Sequence, residues 1–175
     1  MIIVKIYGGL AGQMMQYAFA NFLEVKKKEQ VKLDISFYGE QKHNISFRKF
    51  ELLNLNTSFS IATEDDYKQI FSEVKFSDKI QFKLFNKPVK SNVNFIESKP
   101  FCYDSEVLNQ SYKIYDGYWV NSQYMPFIES KLKKDFTPRY PINPKNNDLM
   151  NRIESSNSVS IHFRRGDYLV HENHN

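Results

Sequence analysis

The sequence predicts an α/β fold with a parallel sheet, and three observations predict it. A β-branched run, "IIVKIY" (2–7), stops at Gly8-Gly9. A helical pattern follows from Gly12 to Lys28, and then a second short strand pattern, "VKLDI" (31–35). Strand, glycine turn, helix and strand in that order open a βαβ unit.

Each element has its own warrant. Residues 2–7 read as a buried strand because β-branched side chains suit a packed pleated surface. Between 12 and 28, Met15, Ala18, Phe19, Phe22 and Val25 recur at helical spacing. Lys26-Lys27-Lys28 then place cations at the end of the helix where its dipole favours them. Thr63 before Glu64-Asp65-Asp66 reads as an N-cap with an acidic first turn. The stretch 74–100 is rich in lysine and asparagine, with brief alternation at Ile80, Phe82 and Leu84, and reads as strands and loops. "YKIYDGYWV" (112–120) is another strand, with Asp116-Gly117 as a local turn and Trp119 in the core or in a sugar-facing wall. Tyr124, Phe127, Ile128, Leu132 and Phe136 predict a one-faced helix, with Pro126 in its first turn. Pro138, Pro141 and Pro144 mark 138–145 as a linker between a first lobe (1–137) and a second unit (146–175). In that unit "DLMNRI" reads as a short helix and "SVSIHF" as a strand.

Composition bounds the function. The chain has 175 residues, enough for one sizeable core or one and a fraction domains. Hydrophobic content of 41% with 25% charged residues is that of a globular protein rather than a disordered one. The net charge of +4 permits an anionic ligand or an anionic membrane surface, but is too dispersed to argue for nucleic acid. The single cysteine, Cys102, excludes an internal disulfide and fits a reducing compartment. Neither a secretory signal nor a membrane-length apolar run is visible, so the expected location is the cytoplasm.

The chemistry concentrates in "SVSIHFRRGDY" (158–168). Strand alternation sets Val159, Ile161 and Phe163 on one face and Ser160, His162 and Arg164 on the other. Arg164, Arg165, Gly166 and Asp167 then fall at the carboxyl end of that strand, where parallel sheets bind ligands. Adjacent guanidinium groups repel each other unless an anion binds them, and their planar forks match phosphate oxygens. Gly166 allows a close turn, and Asp167 can orient a guanidinium or accept from a hydroxyl. The alternative is an exposed turn with an Arg–Asp ion pair. In "GGLAGQMMQYAF" (8–19), glycines allow a phosphate or sugar to approach a helix N-terminus. The dinucleotide pattern Gly-x-Gly-x-x-Gly is not met. "HENH" (171–174) lacks zinc-protease spacing, and the acidic run at 64–66 is explained by capping. No metal site is expected.

Taken together, "GGLAGQMMQYAFA", "LDISFY", "FRKFEL", "YDGYWVNSQYMPFIESKLKKDF" and "SVSIHFRRGDYL" resemble the bacterial α-1,2-fucosyltransferases of glycosyltransferase family 11. The resemblance runs from residue 2 to about 170. It implies transfer of L-fucose from GDP-β-L-fucose to the 2-hydroxyl of a galactose, with inversion and without a metal or other cofactor. It implies two Rossmann-like lobes, the GT-B arrangement, with the donor between them. In these terms Arg164 contacts the β-phosphate, and Arg165, His162 and Asp167 shape or support that pocket. Gly9 and Gln13 belong to the first loop. Implied partners are GDP-fucose and a galactose-terminated oligosaccharide or lipid-linked glycan of the bacterial surface, with peripheral association at the inner face of the membrane. The family loop is Gly-Gly-Leu-Gly-Asn-Gln, so Gly12 stands where an asparagine is expected. Family members are longer, so the chain is expected to hold the first lobe and the opening of the donor lobe.

The base that takes the acceptor's proton is not chosen by spacing; Asp34, Glu51, Asp116 and His162 are all candidates. A rival reading is a non-catalytic sugar- or anion-binding module built on the aromatic-rich face and the arginine loop. A nucleotide-dependent dehydrogenase is a third.

Overall fold

β1 is Ile2–Lys5 of the apolar opening run, and its first three side chains are fully buried. It pairs in parallel with β2 (Val31–Asp34) on one side and β5 (Ile114–Asp116) on the other. β3 (Ser60–Ile61) flanks β2 and β4 (Asn94–Ile96) flanks β5, giving a five-stranded parallel sheet in the order β3-β2-β1-β5-β4. This is a computed structural model, and it describes residues 1–40, 47–72 and 93–163. The predicted α/β class with a Rossmann-like sheet is what the structure has. The alternation at 80–84 lies outside the described residues.

Helix α1 (Leu10–Lys27) joins β1 to β2. Its centre is buried nearly all round, since the sheet lies on one side and the segments near 52–54, 105–108 and 122–124 close over the other. Phe19 stacks on Trp119 at 4.1 Å between ring centroids, in a cluster with Tyr115 and Tyr124. The predicted stripe needs correcting at its end: Val25 is half exposed and Lys27 is buried. A buried ammonium is tolerable because it donates to the Asn109 and Tyr112 carbonyls and to the Tyr115 hydroxyl at 2.7–2.8 Å. Burial, reinforced by repulsion from Lys113 and opposed by Glu29, pushes its pKa down to about 8.

Helices α2 (Phe37–Glu40) and α3 (Glu64–Ser72) follow β2 and β3. The predicted cap at Thr63 is present: Asp66 N–H donates to Thr63 Oγ1 at 3.3 Å, and Thr63 N–H donates to Asp66 Oδ2 at 2.8 Å. Downstream the predictions fail in two places. The helix expected around 124–136 is a 3-10 turn (Ser122–Tyr124) followed by α4 (Glu129–Asp135). Pro126 supplies no N–H to continue a ladder, and Phe127 takes φ 74° and points into solvent. The run expected as a strand at 158–163 is not in a described strand, and Val159, Ile161 and Phe163 are exposed. Alternation alone does not make a strand, and among the described residues no strand pairs with this run. Helix α5 (Pro144–Glu154), capped by the Asn143 side chain, is longer than "DLMNRI" suggests and buries no side chain. Among the described residues, no helix is long and apolar enough to cross a membrane.

One carboxylate ties the sheet's amino edge together. Glu29 accepts from Lys113 Nζ at 2.7 and 2.8 Å and from the N-terminal ammonium at 2.9 Å. Burial opposes its ionisation, but these donors outweigh burial and hold its pKa below the ordinary 4.5. A depressed carboxylate stabilises the fold above its unfolded pKa and loses that contribution as pH falls through its folded value. Glu29→Gln is therefore expected to cost about 1 kcal/mol at pH 7 in urea denaturation. The difference from wild type should shrink in acid below pH 4.5. A gap that stays constant with pH contradicts this role.

Candidate functional site at the carboxyl edge

The chain leaves β1 for β2 and β3 on one side, and β5 and β4 lie on the other. The order therefore reverses at β1, and ligands of parallel sheets bind beyond the strand ends at such a point. Lys5 ends β1, Asp34 ends β2 and Asp116 ends β5, with Lys5 and Asp34 in register. A cleft of about 570 Å³ opens there, lined by Lys5, Tyr7, Asp34, Thr63, Tyr67 and Asp116 among others.

The two aspartates are held differently. Asp34 has both oxygens engaged: the Tyr67 hydroxyl donates to Oδ2 at 2.6 Å and Ser36 N–H donates to Oδ1 at 2.9 Å. Asp116 forms an ion pair through Oδ2 with Lys5 Nζ at 2.9 Å, and both side chains keep about a third or more of their surface exposed. The Tyr7 hydroxyl also donates to the Asp116 carboxylate. Burial, reinforced by the charge of Asp116, raises the pKa of the Tyr7 phenol. Burial and the hydrogen bond to Asp34 do the same for Tyr67. Both phenols thus stay neutral donors beside the carboxylates.

Two buried glutamines of α1 fix the loops around this cleft. Gln16 accepts from Tyr7 N–H at 3.0 Å and donates to the Gly117 carbonyl at 3.2 Å. Gln13 donates to the Gly8 and Lys49 carbonyls at 3.1 and 2.8 Å and accepts from Glu51 N–H at 2.8 Å. Gly8 sits at φ 81°, where glycine is favoured, and Gly9 caps α1 without a side-chain bond. A Cβ on Gly9 would lie 3.9 Å from the Arg48 guanidinium.

Of the sequence-predicted site residues, Gly9, Gln13, Asp34 and Asp116 come together at this edge. Glu51 meets Gln13 through its backbone and is not among the cleft's lining residues. His162 is exposed and outside any described strand. Arg164, Arg165 and Asp167 lie outside the described residues. Sequence reasoning missed Lys5, Tyr7 and Tyr67. Lys5 had a signal, a lone cation inside an apolar strand; the tyrosines had none beyond their abundance.

Gly117 was read only as a turn residue, yet its missing Cβ shapes the wall. A Cβ there would fall 2.5 Å from Glu97 Cβ and 2.9 Å from Trp119 Cε2. Neither a backbone-proximal carbon nor a buried indole can move aside cheaply. Gly117→Ala is expected to cost about 2–3 kcal/mol, lowering the melting temperature by roughly 5–10 °C. An unchanged melting temperature contradicts the packing described.

Fold and cleft together define a doubly wound α/β sheet with a polar cleft at its switch point. Across nearly its whole length the chain is similar to two glycosyltransferases of Escherichia coli. One is an alpha-1,2-colitosyltransferase, 29% identical over 96% of this chain and 55% of the relative. The other is the O-antigen biosynthesis glycosyltransferase WbnK, 28% identical over 93% of this chain and 58% of the relative. The chain thus spans a little more than half the length of each. What the likeness supports is glycosyl transfer as a class, with neither donor nor acceptor specified. No family model matches the chain, and no solved structure does.

Proposed function

We propose that this chain is the acceptor-side lobe of a glycosyltransferase that moves L-fucose from GDP-β-L-fucose to the 2-hydroxyl of a galactose, with inversion and without a metal. Residues 146–175 then belong to the donor side. The observation that carries the reading is the carboxylate of Asp116 at the switch point, lining the cleft, partly exposed and oriented by Lys5 and Tyr7. The α-1,2 linkage in the name of one relative supports the choice of hydroxyl.

In this mechanism the acceptor's 2-hydroxyl enters the cleft within about 3 Å of Asp116. Asp116 takes the hydroxyl proton as the oxygen attacks the anomeric carbon. The bond from that carbon to the β-phosphate oxygen breaks, and its electrons leave with GDP. Negative charge grows on the β-phosphate, and the guanidinium of Arg164 stabilises it there. Arg165, His162 and Asp167 shape that pocket, and Gly9 and Gln13 set the first loop for the donor. The acceptor is a galactose-terminated oligosaccharide or a lipid-linked glycan reached at the inner face of the membrane.

The product identifies the reaction. With GDP-fucose and lactose, NMR should show fucose joined through an α-linkage to the galactose 2-hydroxyl. Colitose is L-fucose without its 3-hydroxyl, so GDP-colitose serves as the competing donor. A product formed only from GDP-colitose overturns the donor assignment. Calorimetry tests the rival class, because lactose binding without GDP binding marks a sugar-binding module.

A further inference from the structure

The cleft at the strand ends has an apolar wall that takes no part in the proton transfer. Phe37, the first residue of α2, lines it together with Lys5, Tyr7, Asp34, Glu64 and Asp116. We infer that the Phe37 ring is the platform on which the acceptor's reacting sugar rests, and that the cleft takes a neutral hexose and rejects an acidic one. The inference rests on the transferase reading above and deepens it, naming the residue and the charge that choose the acceptor.

Phe37 is within a ligand's reach. It is 39% exposed, whereas the aromatic cluster under α1 is sealed. A single exposed phenylalanine needs no explanation by itself, but this one is fixed inside a polar cleft. Tyr7 holds its ring at 6.0 Å between centroids and Tyr38 at 5.2 Å, the second perpendicular. Tyr38 is tied down in turn, its hydroxyl donating to the Gly8 carbonyl at 3.1 Å. A ring held from two sides is preorganised, so little freedom is lost when a ligand covers it.

The local sequence sets ring and carboxylates at one place. Ser36 N–H donates to Asp34 Oδ1 at 2.9 Å, which turns the chain at the end of β2 and starts α2 beside the cleft. Tyr7 links the platform to the proposed base, because its ring contacts Phe37 and its hydroxyl donates to Asp116. A pyranose carries hydroxyls at its rim and C–H groups on its faces. The C–H face suits the Phe37 ring, and the hydroxyls then meet the carboxylates.

Charge selects among sugars. Asp34, Glu64 and Asp116 line the cleft, and among its described lining residues the one ammonium is that of Lys5, already paired with Asp116. The surplus is negative. Hydroxyl donors are welcome there, and a carboxylate or phosphate on the bound sugar is repelled.

In the full chain, Phe37→Ala should raise the KM for lactose roughly tenfold or more, because the apolar contact is lost. The KM for GDP-fucose should stay within about twofold of wild type. Phe37→Leu, which keeps apolar bulk without the ring, should fall between the two. Phe37→Trp should recover most of the alanine loss, and its indole should change emission saturably with lactose above the constant signal of buried Trp119. At low ionic strength a methyl galacturonide should be a poorer acceptor than methyl galactoside by roughly tenfold or more. Wild-type transfer with an unchanged lactose KM in Phe37→Ala overturns the platform and leaves the transferase. A rise in both KM values with a lowered melting temperature is a folding effect and overturns it too. Equal use of galacturonide and galactoside overturns the charge selection. A saturable Phe37→Trp response to lactose without transfer by wild type removes the transferase and keeps the sugar site.

Discussion

Arg164→Ala is expected to lower turnover by roughly 10²–10³-fold. The leaving diphosphate gains charge as the glycosidic bond breaks, and a guanidinium aimed at it acts only where that charge develops. The loss should therefore appear in kcat as well as in donor affinity. Arg164→Lys should restore part of the affinity and less of the rate, because an ammonium is a point charge without the planar fork. Turnover and GDP affinity both equal to wild type in Arg164→Ala remove this residue from the mechanism.

The second large effect is at Asp116. Asp116→Asn keeps the shape of the side chain and removes the proton acceptor, so kcat should fall by roughly 10²–10⁴-fold. The fold should survive, since the pair with Lys5 is partly exposed and such pairs are worth about 1 kcal/mol or less. Asp34→Asn is the matched comparison. Both Asp34 oxygens already hold neighbours, so its loss should loosen the Tyr67 contact and change rate much less. The opposite ranking of the two variants makes Asp34 the base.

Much of the fold was legible because the sequence and the packing ask for the same thing. β1, α1 and β2 follow from a β-branched run, a glycine turn and helical spacing. The Thr63 cap follows from local hydrogen bonding alone. Strand order was not legible: that β5 enters between β1 and β4 is decided by contacts across more than a hundred residues, as in the register of Ile3 with Ile114. The stretch at 122–136 misled because apolar spacing outvoted Pro126, whose missing N–H in fact breaks the helix. The 158–163 run misled in the other direction, since alternation specifies faces but not a partner strand.

The site was half legible for the same reason. Asp34 and Asp116 are visible as acidic residues at the ends of strand patterns, and their meeting requires only that the strands be parallel neighbours of β1. Glu97 is different. Its carboxylate reaches the Tyr118 and Trp119 amides because Gly117 lacks a Cβ, and no pattern in the chain announces that contact.

Glycosyl transfer at this edge is decided by the release of GDP from GDP-fucose in EDTA. With a galactose-terminated acceptor present, release should be fast and matched mole for mole by fucosylated product. Without acceptor it should fall to a slow background. Release that is absent, or that ignores the acceptor, contradicts the account.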